Sequence, residues 1–195
     1  EFSKSWTLRA KLRDILCSMG ANEIKTFSFM TNKDLDAIGI EEDSWERNMV
    51  ELINPMGEET AALRTILTPS MLDVLARNYS RNIEAVRAYE IGLTYMKNLR
   101  EDDGLPDEGY NIAIGMYGEN EDFFTLKGMI EEMLKVLGIK KVIFEAESEY
   151  GVYHPGRCAR VLVGFEGASN REKTIEGLEY QIANMPAMFG EEELQ

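Results

Sequence analysis

Between Leu52 and Asn78 the chain reads Leu-Ile-Asn-Pro-Met-Gly-Glu-Glu-Thr-Ala-Ala-Leu-Arg-Thr-Ile-Leu-Thr-Pro-Ser-Met-Leu-Asp-Val-Leu-Ala-Arg-Asn. Few backbone arrangements satisfy it. Asn54-Pro55 and Gly57 are turn formers. Thr68-Pro69 reads as a helix start, with the threonine as N-cap and the proline at the first helical position. A strand therefore closes at Asn54-Pro55 and a helix opens at Thr68. Arg64 lies between them beside Leu63, and a guanidinium in such company must be paired, because an unpaired buried charge is too costly. It either clamps a carboxylate or phosphate in two-pronged fashion or holds Glu58 or Glu59 across the turn. The second is the expected arrangement.

The flanking chain alternates short strands with a few helices. Leu8, Leu12, Ile15, Leu16 and Met19 form one apolar stripe on a helix from Thr7 to Met19, with Gly20 as its stop. A strand is expected from Ile24 to Met30, a short helix from Asn32 to Gly39, and a strand from Met49 to Ile53. The helix after Thr68 presents Leu72, Leu75, Ala76 and Tyr79 on one face. Val86 to Met96 reads as a long strand, followed by an acidic loop to Gly109 and a strand from Tyr110 to Tyr117. Asp122 opens a helix with Leu126, Met129, Ile130, Met133, Leu134 and Leu137 at i, i+3, i+4 and i+7, stopped by Gly138. Strands at Val142–Ala146 and Cys158–Phe165 complete the pattern. Strands that follow one another with no helix between them predict an α+β fold, a mostly antiparallel sheet flanked by helices.

Composition narrows the chemistry. With 35 acidic against 21 basic residues the net charge is −14, which repels phosphate backbones and disfavours direct nucleic-acid binding. The single histidine leaves a zinc site short of ligands, and the two cysteines, Cys17 and Cys158, suit packing in reduced form. No apolar run reaches the ~20 residues that span a bilayer, and the start, without a methionine, reads as that of an excised cytoplasmic fragment. His154-Pro155-Gly156-Arg157 is expected to be a tight turn feeding a strand, with Arg157 in an ion pair rather than His154 as a general base. Lys127-Gly128 sits mid-helix, where glycine costs about 1 kcal/mol relative to alanine, so close packing against another backbone is expected. No catalytic, cofactor-binding or metal-binding set can be assembled from spacing.

Four segments in order carry a resemblance: Asn54-Pro55-Met56-Gly57-Glu58-Glu59 into Leu63-Arg64-Thr65-Ile66-Leu67; Arg87-Ala88-Tyr89-Glu90-Ile91-Gly92; Asp122 to Gly128; and His154 to Ala159. Together they resemble the catalytic-like module of the bacterial phenylalanine–tRNA ligase β subunit, over residues 1–165, leaving 166–195 as an unassigned C-terminal segment. The resemblance implies a class II aminoacyl-tRNA synthetase fold in an inactive copy. It implies a partner, the α subunit, which charges tRNA(Phe) with phenylalanine using ATP and Mg²⁺, with tRNA reached through the complex. Thr68, Pro69, Glu90, Gly92, Lys127, Gly128, His154, Pro155, Gly156 and Arg157 then join Asn54, Pro55 and Arg64 as structural motif positions.

Class II enzymes hold the ATP phosphates with a motif 2 arginine and a motif 3 arginine after glycines. Here the motif 2 place reads Tyr89-Glu90-Ile91-Gly92-Leu93-Thr94-Tyr95, and no Gly-x-Gly-x-x-Arg follows Phe165. The helix from Thr7 to Met19 stands in the motif 1 place, which implies that Leu8, Leu12, Ile15 and Met19 face the α subunit; the alternative is that the stripe packs only on its own sheet. The rival reading is a free-standing class II-like domain that activates an amino acid or related carboxylate with ATP. It requires Arg64, Arg87 and Arg157 to converge on one pocket.

Overall fold

The computed structural model describes residues 3–97 and 105–164. Expectations for Phe165 onward, including the separate 166–195 segment, lie outside the described residues. Among the described residues four α-helices and eight strands occur in the order α1 (Lys4–Ser18), β1 (Asn22–Glu23), β2 (Phe29–Met30), α2 (Asn32–Ala37), β3 (Val50–Glu51), β4 (Ala62–Leu63), α3 (Thr68–Tyr79), β5 (Val86–Met96), β6 (Asp107–Tyr117), α4 (Phe123–Val136), β7 (Lys141–Ala146) and β8 (Ala159–Gly164). The α+β class holds.

The sheet is divided into three ladders, β1-β5-β6, β2-β4-β3 and β7-β8. All pairs are antiparallel except β1 with β5. The long hairpin is the frame: β5 and β6 pair over 11 positions, from Val86↔Tyr117 to Met96↔Asp107. The strand expected across Ile24–Met30 is shortened to Phe29–Met30, because the backbone N–H and hydroxyl of Thr26 bond to the Glu90 carboxylate instead of joining a ladder.

Alternation along β5 sends successive side chains to opposite faces. Tyr89 and Ile91 enter the main core with Leu12 and Leu16 of α1 and Leu126, Met129, Ile130, Met133 and Leu134 of α4. Ala88 turns the other way, against Met71 and Leu75 of α3. The approach there is close: a Cβ at Gly115 would lie 2.7 Å from Leu75 Cδ1 and 2.8 Å from Met71 Cγ. Leu16 and Met133 are fully enclosed, each contributing roughly 1.5–3 kcal/mol by leaving water. A separate core under the small sheet joins Met30, Leu35, Ile40, Met49 and Ala62 to Val152, Tyr153 and Cys158.

Helix ends follow their local chemistry, with one exception. Asp122 caps α4, its Oδ1 accepting from Thr125 N at 2.7 Å, and Gly138 stops it at φ +82°. Thr68 is not the N-cap of α3. That helix begins one residue earlier than the sequence suggests, because Leu67 already has helical dihedrals and accepts from Met71 N at 3.1 Å. Pro69 keeps its place in the first turn, where its missing N–H leaves no helical bond unmade.

Candidate functional site

β4 runs straight into Arg64, whose side chain passes under β5 and is 2% exposed, beside Glu90 at 1%. Arg64 Nη2 donates to Glu90 Oε1 at 3.0 Å, Nη1 to Thr26 Oγ1 at 2.8 Å and to Phe27 O at 3.4 Å, and Nε to Leu93 O at 2.9 Å. Thr26 closes the ring by donating its hydroxyl to Glu90 Oε2 at 2.7 Å. Gly92 makes room for the guanidinium: a Cβ there would stand 2.3 Å from Arg64 Nη2 and 3.0 Å from Leu67 Cδ2. The motif residues Arg64, Glu90 and Gly92 thus form one unit, which ties the β1–β2 linker and the small sheet to the long hairpin.

The expected pairing of Arg64 with Glu58 or Glu59 does not occur. Glu58 pairs with Lys33, 2.6 Å away, in an exposed bridge, and Glu59 is exposed. The reason is strand geometry: Arg64 follows Ala62 on the inward-facing side of β4, away from the turn that carries both glutamates.

The other arginines go elsewhere. Arg87 projects from β5 on the face opposite Glu90, where it donates to Glu121 Oε1 at 2.7 Å and to Met19 O at 2.5 Å. Arg157 is exposed in the His154–Arg157 turn, closed by Arg157 N donating to His154 O at 2.9 Å. His154 is exposed too, and its Nδ1 accepts from Gly156 N at 3.0 Å. Pro155 lies at the exposed tip of that turn. Among the described residues Arg157 has no ion pair; the pair at this edge is Arg160 with Glu147. The three arginines do not converge.

A triphosphate needs guanidinium donors free to reach it. Among the described residues the donors of Arg64, on the Glu90 face, and of Arg87, on the opposite face, are taken up by protein oxygens, so neither guanidinium is free to meet a phosphate. Among the described residues no group of three histidine, cysteine or acidic side chains could hold a metal ion. No helix among them is long and apolar enough to cross a membrane.

The stripe on α1 divides. Leu12, at 6% exposure, and Ile15 are buried inside this chain, and Met19 packs against the main core. Only Leu8, at 48%, stands out. Leu12 and Ile15 therefore present no free face: Leu12 packs with α4 in the main core, and Ile15 is buried beside it in sequence. Lys127 lies over the Phe144 ring at 4.3 Å and pairs with Glu131. The close backbone contact expected at Gly128 is absent, since nothing lies within 4 Å of a Cβ built there.

One polar cluster escaped the sequence reading. Glu46 is fully buried, accepts from Tyr150 Oη at 2.8 Å and from Ser44 Oγ, and its backbone oxygen receives Thr65 Oγ1 at 2.6 Å. It lies in the run Glu41-Glu42-Asp43-Ser44-Trp45-Glu46, where nothing marks one acid as buried.

Two solved pyrrolysyl-tRNA synthetase structures from Desulfitobacterium hafniense superpose with TM-scores of 0.61 and 0.62 at 23% identity, over 83% of this chain and 54–55% of theirs. They establish a class II aminoacyl-tRNA synthetase fold. The phenylalanine–tRNA ligase β subunit of Clostridium acetobutylicum is 41% identical over 161 residues, 83% of this chain and 20% of that protein. That of Clostridium tetani is 38% identical over the same shares. The chain spans about a fifth of the length of these relatives. Residues 1–169 match the family model for the phenylalanyl-tRNA synthetase β chain CLM domain, and the chain belongs to that family.

Proposed function

We propose that this chain is a non-catalytic assembly module, supporting a catalytic α subunit that charges tRNA(Phe) with phenylalanine using ATP and Mg²⁺. The observation that carries the reading is the Arg64–Glu90 unit. On the strand that stands in the motif 2 place, the nearby arginine is consumed by Glu90, Leu93 O and Thr26. The fold is kept while the guanidinium that reaches this strand from the end of β4 is spent on holding two sheets together. Contact with the α subunit falls to the exposed N-terminal half of α1 around Leu8. tRNA is reached through the complex, in keeping with the net charge of −14.

Light-scattering chromatography of the chain, alone and mixed with a phenylalanine–tRNA ligase α subunit, tests this. A mixed complex is expected, and amino-acid-dependent pyrophosphate exchange by the chain alone is not. Exchange activity without the α subunit would overturn the reading in favour of a free-standing synthetase-like enzyme.

A further inference from the structure

The core under the small sheet, where Met30, Leu35 and Ile40 meet Val152 and Cys158, shares no buried residue with the two cores on either side of β5. The boundary is sharp along the chain. Ile66 packs on the small core, whereas Leu67 already begins α3; Cys158 closes the small core, whereas Val161 belongs to the main one. Inside this lobe the backbone is thinly laddered, since β2–β4 and β3–β4 pair over two positions each against 11 for β5–β6. Glu46 binds its two stretches of chain to each other, taking Tyr150 Oη on its carboxylate at 2.8 Å and Thr65 Oγ1 on its backbone oxygen at 2.6 Å. The hydrogen bonds that cross from the lobe to the long hairpin gather at one place. Arg64 reaches Glu90 and Leu93 O, Thr26 reaches Glu90, and Tyr95 N donates to Arg64 O at 2.9 Å. Such bonds are exchanged for bonds to water on separation, so each adds little net adhesion. A buried ion pair regains the hydration of both charges when its halves part together. Parts with small cores and short ladders are the ones that open below the global transition.

We propose that residues 26–66 and 150–158 form one lobe that opens and recloses on the frame of β5, β6 and α4 without global unfolding, and that the Arg64–Glu90 pair is the catch that parts. The pair registers the lobe without gluing it down: losing one partner strands the other, whereas parting both returns both to water. The unfolding that bares the Cys158 thiol is then the opening of this lobe, because Cys158 lies in its core.

Hydrogen exchange of the complete protein that carries this chain, followed by mass spectrometry in rising urea below the global transition, tests this. The ladder amides of β2, β3 and β4 are expected to exchange together, roughly tenfold or more faster than those paired between β5 and β6, and with a shallower urea dependence. Met133→Ala, in the main core, is expected to speed the β5–β6 amides roughly thirtyfold or more and to leave the lobe's rate unchanged, because the frame stays folded when the lobe opens. Ile130→Val in the same core gives the same split at roughly threefold and serves if Met133→Ala does not fold. Arg64→Met is expected to speed the lobe's own amides roughly a hundredfold or more, since opening relieves the stranded Glu90. A common rate and urea slope for both sets of amides, or a core variant that speeds both alike, overturns the separate lobe. A lobe rate untouched by Arg64→Met means that the pair survives the opening, and the catch falls.

Discussion

Arg64 Nη2 lies 3.0 Å from Glu90 Oε1, and both side chains are sealed from solvent. A buried ion pair is weak evidence for stability as such, since desolvation offsets most of the attraction. Its force lies in the asymmetry of breaking it. Here the pair joins elements 26 residues apart in sequence, and the loss of either partner strands the other in the interior.

Arg64→Met should therefore cost about 3–5 kcal/mol in urea denaturation, because Glu90 is left with Thr26 alone. Arg64→Met with Glu90→Leu should cost clearly less than the sum of the single changes. Strict additivity would mean that the two residues act independently, and the unit described above would dissolve.

The two motif glycines should respond with opposite sign. Gly92→Ala drives a methyl into Arg64 Nη2 and Leu67 Cδ2 and should destabilise by roughly 1–3 kcal/mol. Gly128→Ala meets open space in the middle of α4 and should stabilise by up to about 1 kcal/mol. Thermal melts of the two variants decide it. Destabilisation by Gly128→Ala would reveal a neighbour that the helix surface does not show.

Long periodic elements were legible in the sequence, and short paired ones were not. β5 begins and ends where the sequence places a long strand, at Val86 and Met96, and α4 starts directly after Asp122. The apolar material of each marks its own limits. The strand predicted at Ile24–Met30 is cut down to β2, Phe29–Met30, because Thr26 is claimed by Glu90, 64 residues away, and no local pattern carries that contact. The sequence marks Arg64 as a charge in need of a partner. Proximity points to Glu58 or Glu59, whereas strand direction selects Glu90. The buried Glu46 had no local signal at all. On α1 periodicity marks the stripe but cannot say whether it meets its own sheet or another chain. Contacts with α4 answer that for Leu12.

Cys17 is exposed and Cys158 buried. Burial raises the Cys158 thiol above its ordinary value of 9.0, and the charge of Glu147 adds to this. In native protein one thiol should react quickly with an aromatic disulfide reagent and the second only after unfolding. A raised native value makes the contribution to stability complete below pH 9.0 and lost as pH climbs through the native value. Cys158→Ala should therefore flatten the alkaline limb of the stability profile. Two equally fast thiols would contradict the burial.

Asp122 gives the acid counterpart. The backbone N–H and then the hydroxyl of Thr125 hold its carboxyl below the ordinary 3.8. A lowered native value makes its contribution full above pH 3.8 and lost as pH falls through the native value. Asp122→Ala should lower Tm by a few degrees at pH 7, and the gap to wild type should close below pH 3.8. Asp122→Asn, which still caps, should keep most of the Tm without the acid dependence. A gap that persists at low pH would point to packing rather than the charged cap.

Leu8 and Leu12 separate core from contact surface on one helix. Leu12 is buried with Leu16 against α4, whereas Leu8, one turn earlier, is half exposed. An aspartate at position 12 would have to ionise within that core or remain protonated and badly packed, so Leu12→Asp should cost about 3 kcal/mol or more, or prevent folding outright. Leu8→Asp leaves the core untouched and should shift stability by less than about 0.5 kcal/mol. If the N-terminal half of α1 meets the α subunit, Leu8→Asp alone should weaken that complex. Circular dichroism melts and α-subunit titration on both variants separate the cases. A Leu8→Asp protein that melts normally and binds the α subunit with wild-type affinity would move the interface away from α1.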